Sequence, residues 1–204
     1  MTISLMPLAV TAVGAFALYG LVRMTRARIY DAIIAKLTTG WYAEVLKRLP
    51  HGSKLLDVGI GTGLALINNR QQLKLKQIEV DGVDYDKDYV VRCQTLVKEK
   101  QLTSLVQVHH ASIYDFQEGP YDAVYFSSSL MLMPDAAKAL QHCMGMLKQK
   151  TGRIYVTQTI QTRHSRLMEI VKPLLKFLTT IDFGTVTYED DLLITFKKLF
   201  VLEP

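Results

Sequence analysis

The chain opens on an uninterrupted apolar stretch, MTISLMPLAVTAVGAFALYGLV, and no charged side chain occurs before Arg23. As a helix this stretch would be about 33 Å long, enough to cross a hydrocarbon core of roughly 30 Å. Arg23, Arg26 and Arg28 follow at once. A cleaved signal peptide carries its positive charge before the apolar run, and a buried helix of this length normally keeps a polar face. Residues 1–22 therefore read as a single transmembrane anchor. Arginines on its C-terminal side place the following domain in the cytosol or a mitochondrial matrix.

Beyond the anchor the pattern changes to alternating short apolar runs and amphipathic stretches. Residues 23–50 form a helical lead-in: ARIYDAIIAKLTTGWYAEVLKRLP reads as helix, a break near Gly40, and helix again up to Pro50. Residues 51–204 then form one domain. KLLDVGI, QIEVDGVDY, LVQVHHASI, YDAVYFSSS and IYVTQTI read as strands. LALINNRQQLK, KDYVVRCQTLVKEK and AAKALQHCMGMLK read as helices between them. HSRLMEIVKPLLKFLTT is helical with Pro173 kinking or breaking it, and DLLITFKKLFVLEP is a helix, a last strand, or both. Strand–helix alternation implies parallel βαβ units and an α/β, doubly wound, mostly parallel sheet with helices on both faces. Ligands in such sheets sit beyond the carboxyl ends of the strands. Those ends carry Asp57, Asp84, Ser112 and Ser127 to Ser129.

Composition changes this picture little. Of the 204 residues 49% are hydrophobic and 21% charged, and the net charge of +5 is concentrated between Arg23 and Ile60, beside the proposed anchor. There it favours an anionic lipid surface. No long Lys/Arg run points to nucleic acid. The two cysteines, Cys93 and Cys143, form no CxxC and have no histidine at zinc-site spacing, so no metal site is expected and both read as buried thiols.

The chemistry concentrates in LLDVGIGTG, Leu55 to Gly63. Side chains vanish at Gly59, Gly61 and Gly63, where the backbone must approach something closely and turn into a helix. A dinucleotide loop reads G-x-G-x-x-G and cradles a pyrophosphate. Here Leu64 stands where the third glycine of that pattern would fall, and Asp57 would repel a phosphate. Further on, Asp84 ends VDGVD, where a carboxylate can accept hydrogen bonds from ribose hydroxyls. An acid suited to a cation, an acid suited to a ribose, and no phosphate cradle together point to S-adenosylmethionine. At these residues the chain resembles the class I S-adenosylmethionine-dependent methyltransferases. LLDVGIGTG is similar to their first motif, VDGVDYD to their acidic second-strand motif, and HHASIYDF to the segment along the adenine. YDAVYFSSSLMLMPD and LKQKTGRIYV are similar to their fourth and fifth strands. The broad group containing the ubiquinone and menaquinone biosynthesis methyltransferases is the nearest in flavour. The resemblance implies a Rossmann-like fold. It implies that Gly59, Gly61 and Gly63 line the cofactor, that Asp84 binds its ribose and that Tyr85 packs near its adenine. It places Ser112 and Ile113 at the adenine edge, with Asp57 orienting the loop or the ammonium and Ser127 at the fourth-strand end.

Methyl transfer from a sulfonium needs alignment first, and a base only where the acceptor must lose a proton. His164, Tyr42 and Tyr30 are the candidate catalytic residues, with His109 and His110 behind them. Ser127 to Leu130 lacks the Asn/Asp-Pro-Pro-Tyr signature of methyltransferases acting on adenine or glutamine nitrogens, which disfavours nucleic-acid bases. The apolar SSSLMLMP suits a greasy acceptor. The expectation is a membrane-anchored methyltransferase acting on a lipophilic small molecule or lipid, such as a quinone precursor or phospholipid. Methylation of a membrane-protein side chain, or a non-catalytic subunit of a membrane complex that keeps the fold, are the alternatives.

Overall fold

A computed structural model describes residues 35–158 and 199–202 of the chain. Six strands form one sheet in the order β3-β2-β1-β4-β5-β6. They are β1 (Lys54–Val58), β2 (Glu79–Asp84), β3 (Val106–His110), β4 (Ala123–Ser127), β5 (Arg153–Thr157) and β6 (Leu199–Leu202). β1 to β5 pair in parallel, and β6 closes the edge antiparallel to β5. The chain steps outward from β1 to β3, then returns to lay β4 on the other side of β1. The switch point is therefore the gap between β1 and β4, where a doubly wound sheet opens a crevice.

Both faces of the sheet are covered. One face packs on α1 (Lys36–Arg48), α2 (Leu64–Asn68), α3 (Arg70–Lys76) and α4 (Lys87–Glu99), through Leu46, Leu55, Leu66, Leu73, Cys93 and Tyr125. The other packs on α5 (Ala136–Gly145) and the loop after β3, through Leu56, Val58, Phe126, Ala139, Cys143 and Ile154. Leu55 and Leu56 point to opposite faces and both are fully buried, so β1 has to be apolar throughout until its acid.

Three local expectations are corrected. The break near Gly40 is absent: α1 runs through it without interruption. Glycine costs a helix about 1 kcal/mol relative to alanine. Fully buried Val45 and Leu46 on the inner face outweigh that, and Lys76 Nζ donates to the terminal carbonyls of Leu46, Lys47 and Leu49 at 3.0, 2.7 and 2.6 Å. The single helix expected over LALINNRQQLK is two short ones. Asn69 breaks it, because its Nδ2 reaches the carbonyls of Thr39 (3.0 Å) and Ala65 (2.9 Å), tying the joint to α1. The third strand stops at His110, which leaves Ser112 and Ile113 in the turn that follows. Of the C-terminal segment, residues 199–202 form a strand, and residues 191–198 lie outside the described residues. Among the described residues no helix is long and apolar enough to cross a membrane, and the anchor expected over 1–22 lies outside them, as does the kinked helix expected around Pro173.

Candidate functional site

The glycine loop leaves β1 at the switch point. The amides of Gly59 and Ile60 donate to the carbonyl of Val83, at 2.8 and 3.3 Å, so the turn is anchored on β2 before α2 begins. Gly59, with φ +75°, and Gly63, with φ +69°, lie in the left-handed region. A Cβ at Gly59 would stand 2.5 Å from Ser129 Cβ, and one at Gly63 would stand 2.3 Å from Cys93 Sγ. The first neighbours of these two glycines are thus side chains of the protein itself. Ser129 is brought there by Ser128, which takes the left-handed conformation at the end of β4 (φ +58°), and its hydroxyl donates to the Val58 carbonyl. Gly59 and Gly63, with Ile60 and Thr62, also line a shallow cleft, together with Thr38 and Tyr42 of α1 and Ser127.

Two acids lie beside the loop, toward the carboxyl ends of β1 and β2. Asp84 is 8% exposed; its Oδ2 accepts the Gly61 amide at 2.9 Å and its Oδ1 the Asp86 amide at 2.8 Å. The carboxylate therefore ties the loop to β2, and each oxygen keeps a second lone pair for a ligand hydroxyl. Burial raises its pKa above the usual carboxylate range, against the pull of the two amides. Tyr85, next in sequence, leaves its side chain 79% exposed while its carbonyl meets His110 Nε2 at 3.0 Å. Asp57 is fully buried. Its Oδ2 accepts the Tyr42 hydroxyl at 2.8 Å, and among the described residues its Oδ1 has no hydrogen-bond partner. Burial pushes its pKa up to about 7; the Tyr42 hydrogen bond opposes this and the charge of Asp84 adds to it. A buried acceptor without a donor is rare, and it marks a place where the protein's own groups are incomplete.

The remaining sequence candidates separate. Tyr42 is 3% exposed, edge-on to Tyr125 with ring centroids 4.9 Å apart, and its proton is committed to Asp57. It lines the cleft with its proton held by that acid, the place of a positioning residue. Ile113 is 4% exposed and its side chain is packed in the core. Ser112 Oγ accepts the Tyr114 amide at 3.3 Å, and its carbonyl accepts those of Asp115 and Phe116, both at 3.1 Å. His109 faces Asp81, away from the loop. His164 and Tyr30 lie outside the described residues. Sequence reasoning missed Ser129 and Cys93 as the partners of the glycines. It also missed the buried pair below Ser127, where the Tyr125 hydroxyl and Thr157 Oγ1 lie 2.7 Å apart. Only contacts between distant segments reveal them.

Comparison with known proteins agrees with this geometry. Residues 55–150 match the family described as "Methyltransferase domain". The chain is 24% identical over 159 residues to the phosphatidylethanolamine N-methyltransferase of Cereibacter sphaeroides, an alignment covering 76% of this chain and 75% of that one. It is 31% identical over 101 residues to the tRNA1(Val) (adenine(37)-N6)-methyltransferase of Tolumonas auensis, covering 47% of this chain and 42% of that one. In fold it is similar to a SAM-dependent methyltransferase from Geobacter sulfurreducens, solved in complex with S-adenosyl-L-homocysteine. That likeness has a TM-score of 0.56 at 15% identity and covers 75% of this chain and 61% of that one. Residues 55–150, a little under half of the chain, thus match a methyltransferase domain, and S-adenosylmethionine is the cofactor that this match implies. The residues present fit that cofactor. Asp57 Oδ1 is an unfilled acceptor for positive charge, Asp84 has lone pairs to spare for a ribose, and Tyr85 offers an uncovered aromatic face.

Proposed function

We propose that this protein is a membrane-anchored methyltransferase acting on a lipid-class acceptor, an amine-bearing phospholipid before a quinone precursor. In this reading residues 1–22 are a single-pass anchor, 23–50 the lead-in, and 51–204 the methyltransferase domain on the cytosolic or matrix side. The observation that carries the catalytic part is the pair of acids at the switch point. Asp84 is held by the loop backbone on one lone pair of each oxygen, and Asp57 is buried with one oxygen unpartnered. The acceptor class is supported by the extent of the alignment with the phosphatidylethanolamine N-methyltransferase and by the uncharged first stretch. The tRNA-modifying relative aligns over a shorter stretch, and Ser127 to Leu130 lacks the signature of adenine methylation.

When bound, S-adenosylmethionine supplies an electrophilic methyl group on a cationic sulfur. The protein's part is to hold and orient. Asp84 would fix the ribose and Tyr85 would cover the adenine, while Gly59 and Gly63, packed against Ser129 and Cys93, would hold the loop in the shape that presents its backbone to the cleft. Ionised Asp57, steadied by Tyr42, would favour the cofactor's positive charge. Ser127, which lines the cleft, and the 3-10 turn Leu130–Leu132 that follows β4 would border the acceptor. The anchor would raise the local concentration of a membrane-borne acceptor. Incubating the full chain with methyl-labelled cofactor and phosphatidylethanolamine vesicles tests this. Label should enter the lipid fraction with wild type and not with Asp84→Ala. Cofactor binding without any lipid labelling would overturn the acceptor class, and no cofactor binding at all would overturn the enzyme.

A further inference from the structure

A second polar cluster lies on the opposite face of the sheet, away from the glycine loop. Asp81, midway along β2, is 5% exposed. Its carboxylate is divided. Oδ2 accepts the Tyr121 hydroxyl at 3.0 Å and lies 3.4 Å from Lys54 Nζ, whereas Oδ1 faces His109 Nε2 at 3.1 Å. The His109 ring is backed by Phe116, centroid to centroid 5.1 Å. Glu118, exposed in the loop before β4, completes the group: one ligand atom from each of Asp81, His109 and Glu118 lies within 4.8 Å of the others. Two carboxylates and an imidazole converge here against a single neighbouring ammonium, Lys54, so negative charge is left over. The convergence is the form of a three-ligand metal site with a fourth position open to water. Outer hydrogen bonds fix a ligating carboxylate in such sites, as Tyr121 and Lys54 fix Asp81 here.

We infer that Asp81, His109 and Glu118 form a site for one divalent transition-metal ion of the zinc type. The donor set decides the class. Calcium and magnesium take oxygen ligands almost throughout, whereas mixed imidazole and carboxylate donors suit zinc and its neighbours. Asp81 supplies Oδ1 from β2, His109 supplies Nε2 from β3, and Glu118 swings in from the loop. The ion would pin the β3–β4 loop, which carries Ser112 and Ile113, to the edge of the sheet. No spacing rule finds this site, because its three ligands come from two strands and a loop.

The full chain, stripped with a chelator and then titrated with zinc alone against a chromophoric competitor, tests the inference. Wild type should bind one equivalent that His109→Gln and Glu118→Gln do not bind. Gln at position 109 can still hydrogen-bond Asp81, so the fold should stand, as circular dichroism will show. Tyr121→Phe should weaken binding by roughly 10- to 100-fold, the effect of losing an outer partner. His51→Gln, at an exposed histidine outside the cluster, should leave the equivalent intact. Absence of that equivalent in wild type, or its persistence in the His109→Gln/Glu118→Gln double variant, overturns the inference.

Discussion

The carboxyl end of β1 and the middle of β2 each bury an aspartate, and they treat it in opposite ways. Asp57 is fully buried and Asp81 is 5% exposed, so depth does not separate them. Partners do. Asp81 has a tyrosine hydroxyl and an ammonium on one oxygen and an imidazole on the other. Asp57 has one tyrosine hydroxyl, a second acid as its electrostatic neighbour, and an oxygen with no partner. A fold does not gain from leaving a buried acceptor unmet. The comparison teaches that both oxygens of Asp81 already meet side chains of the protein, with His109 and Glu118 near enough to share a metal ion, whereas Asp57 keeps one oxygen that no described residue meets and that suits a positive charge arriving from outside.

The largest expected effect separates the two by sign. Burial pushes the Asp57 carboxyl up to about 7 in the folded protein, while in the unfolded chain it ionises near the ordinary aspartate value of 3.8. The folded state therefore binds more protons between these limits. The contribution of Asp57 to stability is full below about pH 4, falls as pH rises toward 7, and is level above. A shift of this size corresponds to about 4 kcal/mol at most. Asp57→Asn should remove that fall. Denaturant titrations across pH 4–8 should find the variant gaining on wild type as pH rises and ending at least as stable above neutrality. Asp81→Ala should go the other way. It strands the Tyr121 hydroxyl, while Lys54, with 35% of its side chain exposed, turns to solvent. A loss of about 1–3 kcal/mol is expected near neutral pH, read by the same titrations. A smaller effect belongs to Tyr85. Its ring is 79% exposed, so Tyr85→Ala should leave the melting temperature unchanged and weaken cofactor binding by about 1 kcal/mol, several-fold in Kd.

Much of this contrast was legible in the residues and some was not. The strand–helix alternation predicts β1 to β5, and the apolar run of Leu55 and Leu56 predicts a strand covered on both faces. LLDVGIGTG and Asp84 point to the switch point and to a loop that must come close to something. What the loop comes close to was not legible. Ser129 and Cys93 meet the glycines only because β4 and α4 are laid against β1, and pairings between distant segments leave no local trace. Gly40 was misjudged for a related reason. Its propensity argues for a break, but the tertiary packing of α1 and the Lys76 cap outweigh it. Asn69 erred in the other direction, since a helical pattern passes through it and its side-chain bonds to α1 and α2 divide the helix. Tyr42 was read as a candidate base from its place before the glycine loop. Its burial against Tyr125 and its bond to Asp57 give it a supporting part instead.

The account rests on Asp57 being the acid that an incoming cation completes. A cation placed near it favours its ionised form, so cofactor binding near pH 7 should release a proton. Isothermal titration of S-adenosylmethionine into the full chain, repeated in buffers of different ionisation enthalpy, measures that proton directly. Wild type should release a fraction of a proton per cofactor bound and bind more tightly as pH rises to about 7. Asp57→Asn should bind more weakly with no such release. Equal proton release and equal affinity in the two proteins would contradict the account.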